Sequence, residues 1–537
     1  MNRSMVIASV VVLLGAHFIL GMTAINRLSP TYDEPLHLAA GYSYLRTGNY
    51  YLNIYDHPPL AEMIAALPLL SMKPVLLTSH PSWGEYRQYS FANLFLYHNR
   101  VDAEKMLNSG RMMILLFSCL LGFAVYYWGK QMYGTPAGIA GLILYCFCST
   151  FIAHGSLVTT DLVFVLFYFL SMYALWRWTG EQNMKNAVIM GVFFGLALVS
   201  KFSSVIVPCM YGLVLLYFRY MKKVRLFSSK VLLQVLVFSA VVLAVILIVY
   251  RFNSPGLYTE GLRRTLARMD KGRSAFLLGD YSTSGWKHYF LVTFLTKSSI
   301  PFIITLVLSL LPLRKNWYES EKVLFLLVPA AVYFLLSSFS RVQIGHRHLM
   351  PVYPFLMVWS GSLAVKAGEG VKGRVISAVL AVLFFGHAAS AARANPWHLS
   401  YFNEFTRGSG QEYLTDSNID WGQGLKELGR WCGENGVEGL YMSYFGTGDP
   451  HYYGIKYVPV GFIDNLEQGE RRGDIIGERE PVYFAVSVTN LKATYYAEKN
   501  VFAWLEEYEP VAVAADSIYV YDLTGKAGAI EELKKYL

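Results

Sequence analysis

Two acidic side chains and two histidines occur close together near the N-terminus. Asp33 and Glu34 are adjacent and precede Pro35, a residue that suits the first turn of a helix. His37 follows Asp33 by four residues, so both side chains can lie on one helical face. His57 precedes two prolines that fix the backbone around it. A carboxylate near an imidazole can accept a proton from a hydroxyl or an amine, so this stretch is a candidate catalytic site.

The same acids also have a purely structural interpretation. Aspartate is among the preferred residues at helix N-termini, where its side chain accepts hydrogen bonds from free backbone N–H groups. Leu38, Tyr42 and Leu45 continue the stretch at helical spacing, which predicts an amphipathic helix lying along a membrane surface. The residues alone leave both interpretations open, a catalytic carboxylate or a helix cap.

The elements that must position these residues are membrane helices. The chain has 537 residues, of which 54% are hydrophobic and 15% charged, and its mean hydropathy is +0.35, which excludes an ordinary soluble globule. Apolar runs long enough to span a bilayer predict a polytopic α-helical membrane protein with about eleven transmembrane helices. These runs are residues 5–24, 111–128, 136–153, 157–176, 187–201, 203–220, 231–250, 289–312, 323–340, 350–366 and 375–391.

The distribution of Lys and Arg predicts the orientation. Basic residues collect in alternate short loops, as the positive-inside rule requires of cytoplasmic loops. They are Lys130, Arg177, Lys185, Lys222, Lys223, Arg225, Lys230, Arg314, Lys315, Lys322, Lys366, Lys372 and Arg374. This pattern places a long first loop, residues 26–110, and everything after Arg393 outside. It also explains the net charge of +9 without nucleic-acid binding. We expect an integral protein of a bacterial inner (plasma) membrane, with an uncleaved signal-anchor as its first span.

The composition changes after the last span. Apolar runs shorten, and strand-like pieces at residues 439–445, 481–488 and 517–523 alternate with helical ones. We therefore predict two domains, a membrane domain over residues 1–392 and an extracytoplasmic α/β domain over residues 393–537. No Gly-rich phosphate fingerprint occurs at a strand-to-helix turn, which argues against a nucleotide site.

Three ionisable residues occur in or at the ends of spans, where charge is costly and often functional. Asp161 is either a helix N-terminal cap or a second carboxylate facing the same cavity as Asp33. Lys201 is either a lysine that reaches the membrane surface or a point charge that holds a phosphate. Lys297 lies about two turns inside its span and must have a carboxylate, phosphate or carbonyl partner, which favours function.

Two further groups lie on the predicted outer side. His346 and Arg347, with His348 beside them, concentrate cations against the positive-inside trend, which an anionic ligand would explain. The alternative, a metal held by the two histidines, lacks an adjacent carboxylate. Asp420 and Trp421 belong to a polar and aromatic patch after the last span. This patch is either a sugar-binding surface or a turn within an interfacial aromatic belt.

The run DEPLH, followed by HPPL, resembles the first extracytoplasmic loop of GT-C glycosyltransferases of the protein O-mannosyltransferase and aminoarabinose transferase type. The resemblance implies that the Asp33–Glu34 pair is catalytic, with the main role on Asp33, and that His57 stands where some members have a lysine. It implies a contact of Arg111 with the lipid phosphate. It also implies that a basic residue of the 345–348 loop binds the donor phosphate.

We therefore expect an inverting glycosyltransferase that moves a sugar from a polyprenyl-phosphate donor to an extracytoplasmic acceptor (protein, lipid A or glycan), with Asp33 as base. The candidate phosphate-binding residues are Arg111, Lys201, Arg347, His346, Lys297 and His57, and the candidate substrate-binding residues are Asp161, His37, Trp421 and Asp420. We expect no cofactor. A divalent metal held by Asp33, Glu34, His37 or His346 is less favoured. The alternative is a transporter or flippase for a lipid-linked sugar, for which internal repeats and broken helices are expected and not seen.

Overall fold

The structure is a computed structural model that describes residues 2–83, 87–222, 228–253, 256–311, 320–368, 370–461 and 481–537. Within these ranges, the chain consists of apolar helices, a first loop of short helices between Arg27 and Ala103, and a C-terminal part that contains a β-sheet. The inner-loop residues Lys223, Arg225, Arg314 and Lys315 lie outside the described ranges.

Seven helices in the described ranges are long and apolar enough to cross a membrane, or nine segments if each of two bent helix pairs counts as one span. The seven are Arg3–Arg27, Ala103–Tyr133, Asp161–Gly180, Phe202–Tyr220, Ser229–Val249, His346–Lys366 and Gly370–Ala394. The bent pairs are Thr135–Cys146 with Ser149–Gly155, at 64°, and Tyr289–Lys297 with Ile300–Leu310, at 113°. Shorter apolar helices are Met184–Leu198 and Val323–Ser338. The protein is thus a polytopic helical membrane protein, as predicted, while the count of eleven spans stays a prediction.

The first outer loop folds into short helices above the bundle. Its helices are Glu34–Thr47, Leu60–Ala66, Leu69–Met72 and Gln88–Tyr97. The helix Glu34–Thr47 is buried from its first residue to Tyr44, so the prediction of an amphipathic surface helix is wrong. The reason is that the neighbouring loop helices pack around it and replace both water and lipid.

A close backbone contact holds two of these helices together. A Cβ atom on Gly41 would lie 2.0 Å from the carbonyl oxygen of Glu62. Only glycine leaves room for the helix Leu60–Ala66 at this distance. The contact fixes the helix that follows Asp33 against the rest of the loop.

Before the C-terminal part, the chain forms the helix Gly256–Lys271 and a short hairpin of β1 (Ala275–Leu277) and β2 (Asp280–Ser282). The C-terminal part contains the helices Leu425–Glu434, Val488–Leu491 and Ala527–Lys534. Its five-stranded sheet consists of β3 (Leu440–Ser443), β4 (Tyr457–Pro459), β5 (Tyr483–Ser487), β6 (Ala512–Ala514) and β7 (Ile518–Asp522), in the order β4-β3-β5-β7-β6. Strand β3 is parallel to β4 and β5, and β7 is antiparallel to β5 and β6. The three strand-like sequences coincide with β3, β5 and β7, while the domain boundary at residue 393 stays a prediction.

The C-terminal part is joined to the stretch that precedes Asp33. The backbone N–H of Tyr32 donates to the carbonyl of Trp421 at 2.8 Å, and that of Ser29 donates to Gln423 at 3.1 Å. The Thr447 hydroxyl donates to the carbonyl of Tyr32 at 2.7 Å. These bonds join the backbone next to Asp33 to the C-terminal part.

Glu34 and Arg111 form a fully buried ion pair beneath this stretch. The guanidinium donates to both carboxylate oxygens, at 2.8 and 2.6 Å, and both side chains are 0% exposed. Arg111 also donates to the carbonyls of Leu28 and Ser29, each at 2.9 Å. The Glu34 carboxylate further accepts from the N–H of Val158 at 2.8 Å. Since both charges are paired inside the protein, this interaction anchors the loop to the membrane bundle.

The variant Glu34→Gln should be strongly destabilised, because it leaves the Arg111 guanidinium buried without its counter-charge. Breaking a buried pair in this way costs about 3–5 kcal/mol. The matched control is Glu427→Gln, which breaks the pair of Glu427 with Arg27, a residue whose side chain is 39% exposed. That change should cost less than about 1 kcal/mol. Thermal unfolding of the purified proteins measures both, and equal losses would contradict the anchoring role of Glu34.

Candidate functional site

Asp33 occupies the N-cap position of the helix Glu34–Thr47, but its side chain makes no capping hydrogen bond. The carboxylate is 23% exposed and lies at the wall of a cavity. The structural interpretation of Asp33 as a helix cap therefore finds no support in these contacts. Its charge is directed at a neighbouring arginine instead.

Arg347 lies between two carboxylates. Its Nη2 is 3.7 Å from Oδ2 of Asp33, and its Nη1 is 3.4 Å from Oδ2 of Asp161. The other oxygen of Asp161 accepts from Nζ of Lys201 at 2.5 Å. We call Asp33, Arg347, Asp161 and Lys201 the charge array. The fold thus brings two carboxylates and two cations, from four stretches that are distant in sequence, into one connected group.

The ends of membrane helices position three members of the charge array. Asp161 is the first residue of Asp161–Gly180, and Lys201 directly precedes the 3₁₀ turn Phe202–Val205. Arg347 is the second residue of the 3₁₀ turn His346–Val352 and is only 8% exposed. Its guanidinium lies 4.0 Å from the ring centroid of Trp421, an arrangement that favours a cation. Nε of Arg347 is buried and has no partner in the described part of the chain, so the arginine retains an unused donor.

A cavity of about 240 Å³ opens beside Asp33. It is lined by two carboxylates, two guanidinium groups and aromatic rings, namely Asp33, Asp416, Arg273, Arg347, Tyr32, Tyr89, Trp421 and Phe445. Aromatic faces combined with charged groups suit a sugar ring and its hydroxyls. At about 30 Å³ per water molecule, the space equals roughly eight waters.

Arg273 was missed by the sequence-based prediction. Its guanidinium lies 4.8 Å from the ring centroid of Tyr495, whose hydroxyl donates to Asp416. Burial raises the pKa of Asp416, although the charge of Arg273 acts in the opposite direction. The signal was available. Arg273 is a basic residue between the predicted spans 231–250 and 289–312, and the positive-inside rule places this loop, 251–287, outside. The same departure from that rule indicated Arg347.

His37 and His57 lie behind the charge array. Nδ1 of His37 is 2.8 Å from Oε1 of Glu62, and the two histidine rings are 5.0 Å apart. Burial lowers the pKa of His37, but the hydrogen bond and charge of Glu62 outweigh it and raise that pKa overall. Desolvation, with the nearby charges of His37 and Lys201, lowers the pKa of His57 well below its usual value. His57 is therefore a neutral imidazole, and its Nδ1 lies 3.4 Å from the hydroxyl of Thr160.

Asp161, Lys201, His37 and His57, described above, do not line this cavity, and five more predicted site residues do not line it either. Glu34 and Arg111 form the buried pair described above. Lys297 donates to the carbonyls of Leu399 and Asn418 at 2.9 and 2.5 Å, and His346 contacts the hydroxyls of Thr293 and Tyr353 at 3.1 and 2.7 Å. Asp420 accepts from the N–H groups of Thr489 and Gly422 at 3.0 and 3.3 Å. Each therefore satisfies its polar group inside the protein.

A search for groups of three or more His, Cys, Asp or Glu side chains that could hold a metal ion finds none in the described ranges. His37 and Glu62 pair with each other, and His346 is hydrogen-bonded at both ring nitrogens. A divalent ion held by Asp33, Glu34, His37 or His346 was the less favoured prediction. Within these ranges, none of the four belongs to a group of three or more such side chains.

Comparison with known proteins points to one class. The sequence profile of the family described as dolichyl-phosphate-mannose-protein mannosyltransferase matches residues 103–249, the stretch that carries Asp161 and Lys201. The match agrees with the predicted resemblance to protein mannosyltransferases over this stretch, about a quarter of the chain. No curated protein matches the chain significantly.

Similar solved structures include ArnT from Cupriavidus metallidurans bound to undecaprenyl phosphate, with 12% identity and a TM-score of 0.49 over 98% of this chain and 99% of that chain. Another is the Archaeoglobus fulgidus oligosaccharyltransferase in the apo form, with 11% identity and a TM-score of 0.46 over 73% of this chain and 56% of that chain.

Asp420 predicts a pH dependence of stability. Burial raises its pKa to about 7, above the value of about 3.9 expected in the unfolded chain. The native state therefore holds this proton more tightly, and the stability that it contributes is lost as the pH rises from about 4 through 7. The variant Asp420→Asn has no titrating group at this position, so its stability lacks this dependence on pH. The unfolding temperature of the variant minus that of the wild type should rise between pH 5 and pH 8, and a difference that stays constant would contradict the assignment.

Proposed function

We propose that this protein is an inverting glycosyltransferase that uses a polyprenyl-phosphate sugar as donor and an extracytoplasmic hydroxyl or amine as acceptor. The observation that carries the proposal is the charge array, in which a carboxylate free of capping bonds lies 3.7 Å from a buried arginine beside a cavity. The profile match over residues 103–249 supports the class of donor.

The donor phosphate binds to Arg347 and Lys201. Guanidinium and ammonium groups form charge-assisted hydrogen bonds with phosphate oxygens, and Arg347 has an unused Nε. Asp161 contacts both cations, at 3.4 and 2.5 Å, and so keeps them in place. The neutral imidazole of His57 offers a further donor without adding charge. The membrane helices that begin near these residues run alongside the polyprenyl tail.

Asp33 accepts the proton of the acceptor. The acceptor oxygen or nitrogen bonds to the anomeric carbon while the bond from that carbon to the phosphate oxygen breaks, and the electron pair leaves with the phosphate. Arg347 and Lys201 stabilise this leaving group by positive charge, so no general acid is required. Attack from the side opposite to the phosphate inverts the anomeric carbon.

The cavity beside Asp33 receives the transferred sugar. Its volume of about 240 Å³ suits one sugar ring rather than a chain, and its aromatic walls suit the apolar faces of that ring. Trp421 and Asp416 come from the C-terminal part, which therefore contributes to substrate choice. The acceptor, whether protein, lipid A or glycan, approaches from the outer side of a bacterial inner membrane.

The charge array argues against a transporter without transfer chemistry. The two bent helix pairs are a feature that a transporter would also have. Transporter sites, however, lie near the bilayer midplane, whereas Asp161 is the first residue of its membrane helix and Lys201 lies just outside another.

Asp33→Asn should abolish most turnover but retain donor binding. The variant keeps the size of the side chain and removes the proton acceptor, and loss of general-base assistance lowers rates by about 10²–10⁴-fold. Turnover is measured in proteoliposomes as release of polyprenyl phosphate from a panel of undecaprenyl-phosphate monosaccharides. Binding is measured with undecaprenyl phosphate as ligand.

Asp102→Asn is the matched control. Asp102 lies in the same outer loop and caps the helix Ala103–Tyr133 by accepting from the N–H of Lys105 at 2.9 Å, a role that Asn fills about as well. Wild-type turnover by Asp33→Asn would refute the role of Asp33 as base. Loss of undecaprenyl-phosphate binding in Asp33→Asn would assign the residue to the donor site instead.

A further inference from the structure

A second and larger cavity, of about 530 Å³, lies between the outer end of the last membrane helix, Gly370–Ala394, and the sheet of the C-terminal part. Ser390 and Arg393 line it from the last turns of that helix, and Asp516 lines it from the turn between β6 and β7. This cavity plays no part in the proposed transfer reaction. Its position predicts contact with the outer lipid headgroups.

The charged side chains in this cavity make few contacts with the rest of the protein. Arg393 and Glu404 approach to 3.8 Å, but their side chains are 78% and 57% exposed. Such an ion pair contributes little to stability and can exchange its partners for those of a ligand. Asp516 makes no hydrogen bond or ion pair within the described ranges. The cavity therefore offers one cation and two carboxylates to a ligand.

An apolar face of the helix leads from the membrane to this cavity. Val375 and Val382 are 56% and 71% exposed, as expected for lipid-facing residues. At about 100° per residue, both lie within about 20° of Arg393 around the helix axis. The 11 residues from Val382 to Arg393 rise about 16 Å, close to half of a hydrocarbon core of about 30 Å. An acyl chain along this face thus places its headgroup at Arg393.

We propose that this cavity binds the headgroup of a zwitterionic phospholipid of the phosphatidylethanolamine class, with the phosphate at Arg393, the primary ammonium at Glu404 and Asp516, and the acyl chains along the helix face that runs from Arg393 to Val382. An ammonium group donates three hydrogen bonds, which suits carboxylate partners. An anionic headgroup would face two carboxylates with one arginine. A quaternary ammonium group could not donate to either acid.

Polar contacts hold the helix end of this cavity together. The Tyr401 hydroxyl lies 2.8 Å from that of Ser390 and holds the ring against the last turns of the helix. Arg393 and Glu404 lie together at this end, and Asp516 lines the cavity from the turn between β6 and β7.

Native mass spectrometry of the full-length protein released from nanodiscs tests this proposal. The discs contain equal amounts of phosphatidylethanolamine, phosphatidylglycerol and phosphatidylcholine with identical acyl chains. We expect about tenfold preferential retention of phosphatidylethanolamine over each of the other two, the scale of one charge-assisted hydrogen bond. Arg393→Gln should lower its retention about tenfold. Asp516→Asn should retain phosphatidylethanolamine and phosphatidylglycerol to the same extent.

Arg407→Gln is the control, since Arg407 is exposed on the same outer segment and does not line the cavity. It should leave the lipid profile unchanged, and unaltered unfolding temperatures show that all variants are folded. Equal retention of the three lipids by the wild type would overturn the proposal. So would retention of phosphatidylethanolamine by Arg393→Gln at the wild-type level.

Discussion

The buried pair of Glu34 and Arg111 is the interaction on which the site depends. It joins the first outer loop to a membrane helix and uses both charges completely, at 2.8 and 2.6 Å. The chain before it is held by backbone bonds to the C-terminal part. Asp33 is thereby fixed next to Glu34 but left without a capping bond. Two adjacent carboxylates thus have different surroundings: Glu34 is paired with Arg111, and Asp33 lines the cavity.

The charge array extends this constraint across the protein. Arg347 contacts carboxylates from the first outer loop and from a membrane helix, and its guanidinium stacks on Trp421 from the C-terminal part. Each cation of the array has a carboxylate partner, which fixes its position. In the proposed function, a donor phosphate would exchange with these partners in a preorganised site, which favours stabilisation of a leaving phosphate.

Much of the site could be predicted because charge in an apolar sequence needs a partner. That argument found Asp161 and Lys201, but it equally selected Lys297, whose partners are internal. Arg347 was found from its departure from the positive-inside rule. Arg111 was selected by the family resemblance, and its partner is also internal. The cost of a buried charge is the same whether a ligand or the protein compensates it, so sequence cannot separate these cases. The burial of the helix Glu34–Thr47 was missed for a related reason, since the packing of neighbouring loop helices leaves no periodic pattern. Fold class, by contrast, followed directly from the long apolar runs.

A structure of the protein with bound undecaprenyl phosphate tests the central claim most directly. The account predicts phosphate oxygens within about 3 Å of Arg347 and Lys201, with the Asp33 carboxylate facing the space where the anomeric carbon of a sugar would lie. A phosphate bound elsewhere, with Arg347 still between Asp33 and Asp161, would contradict it.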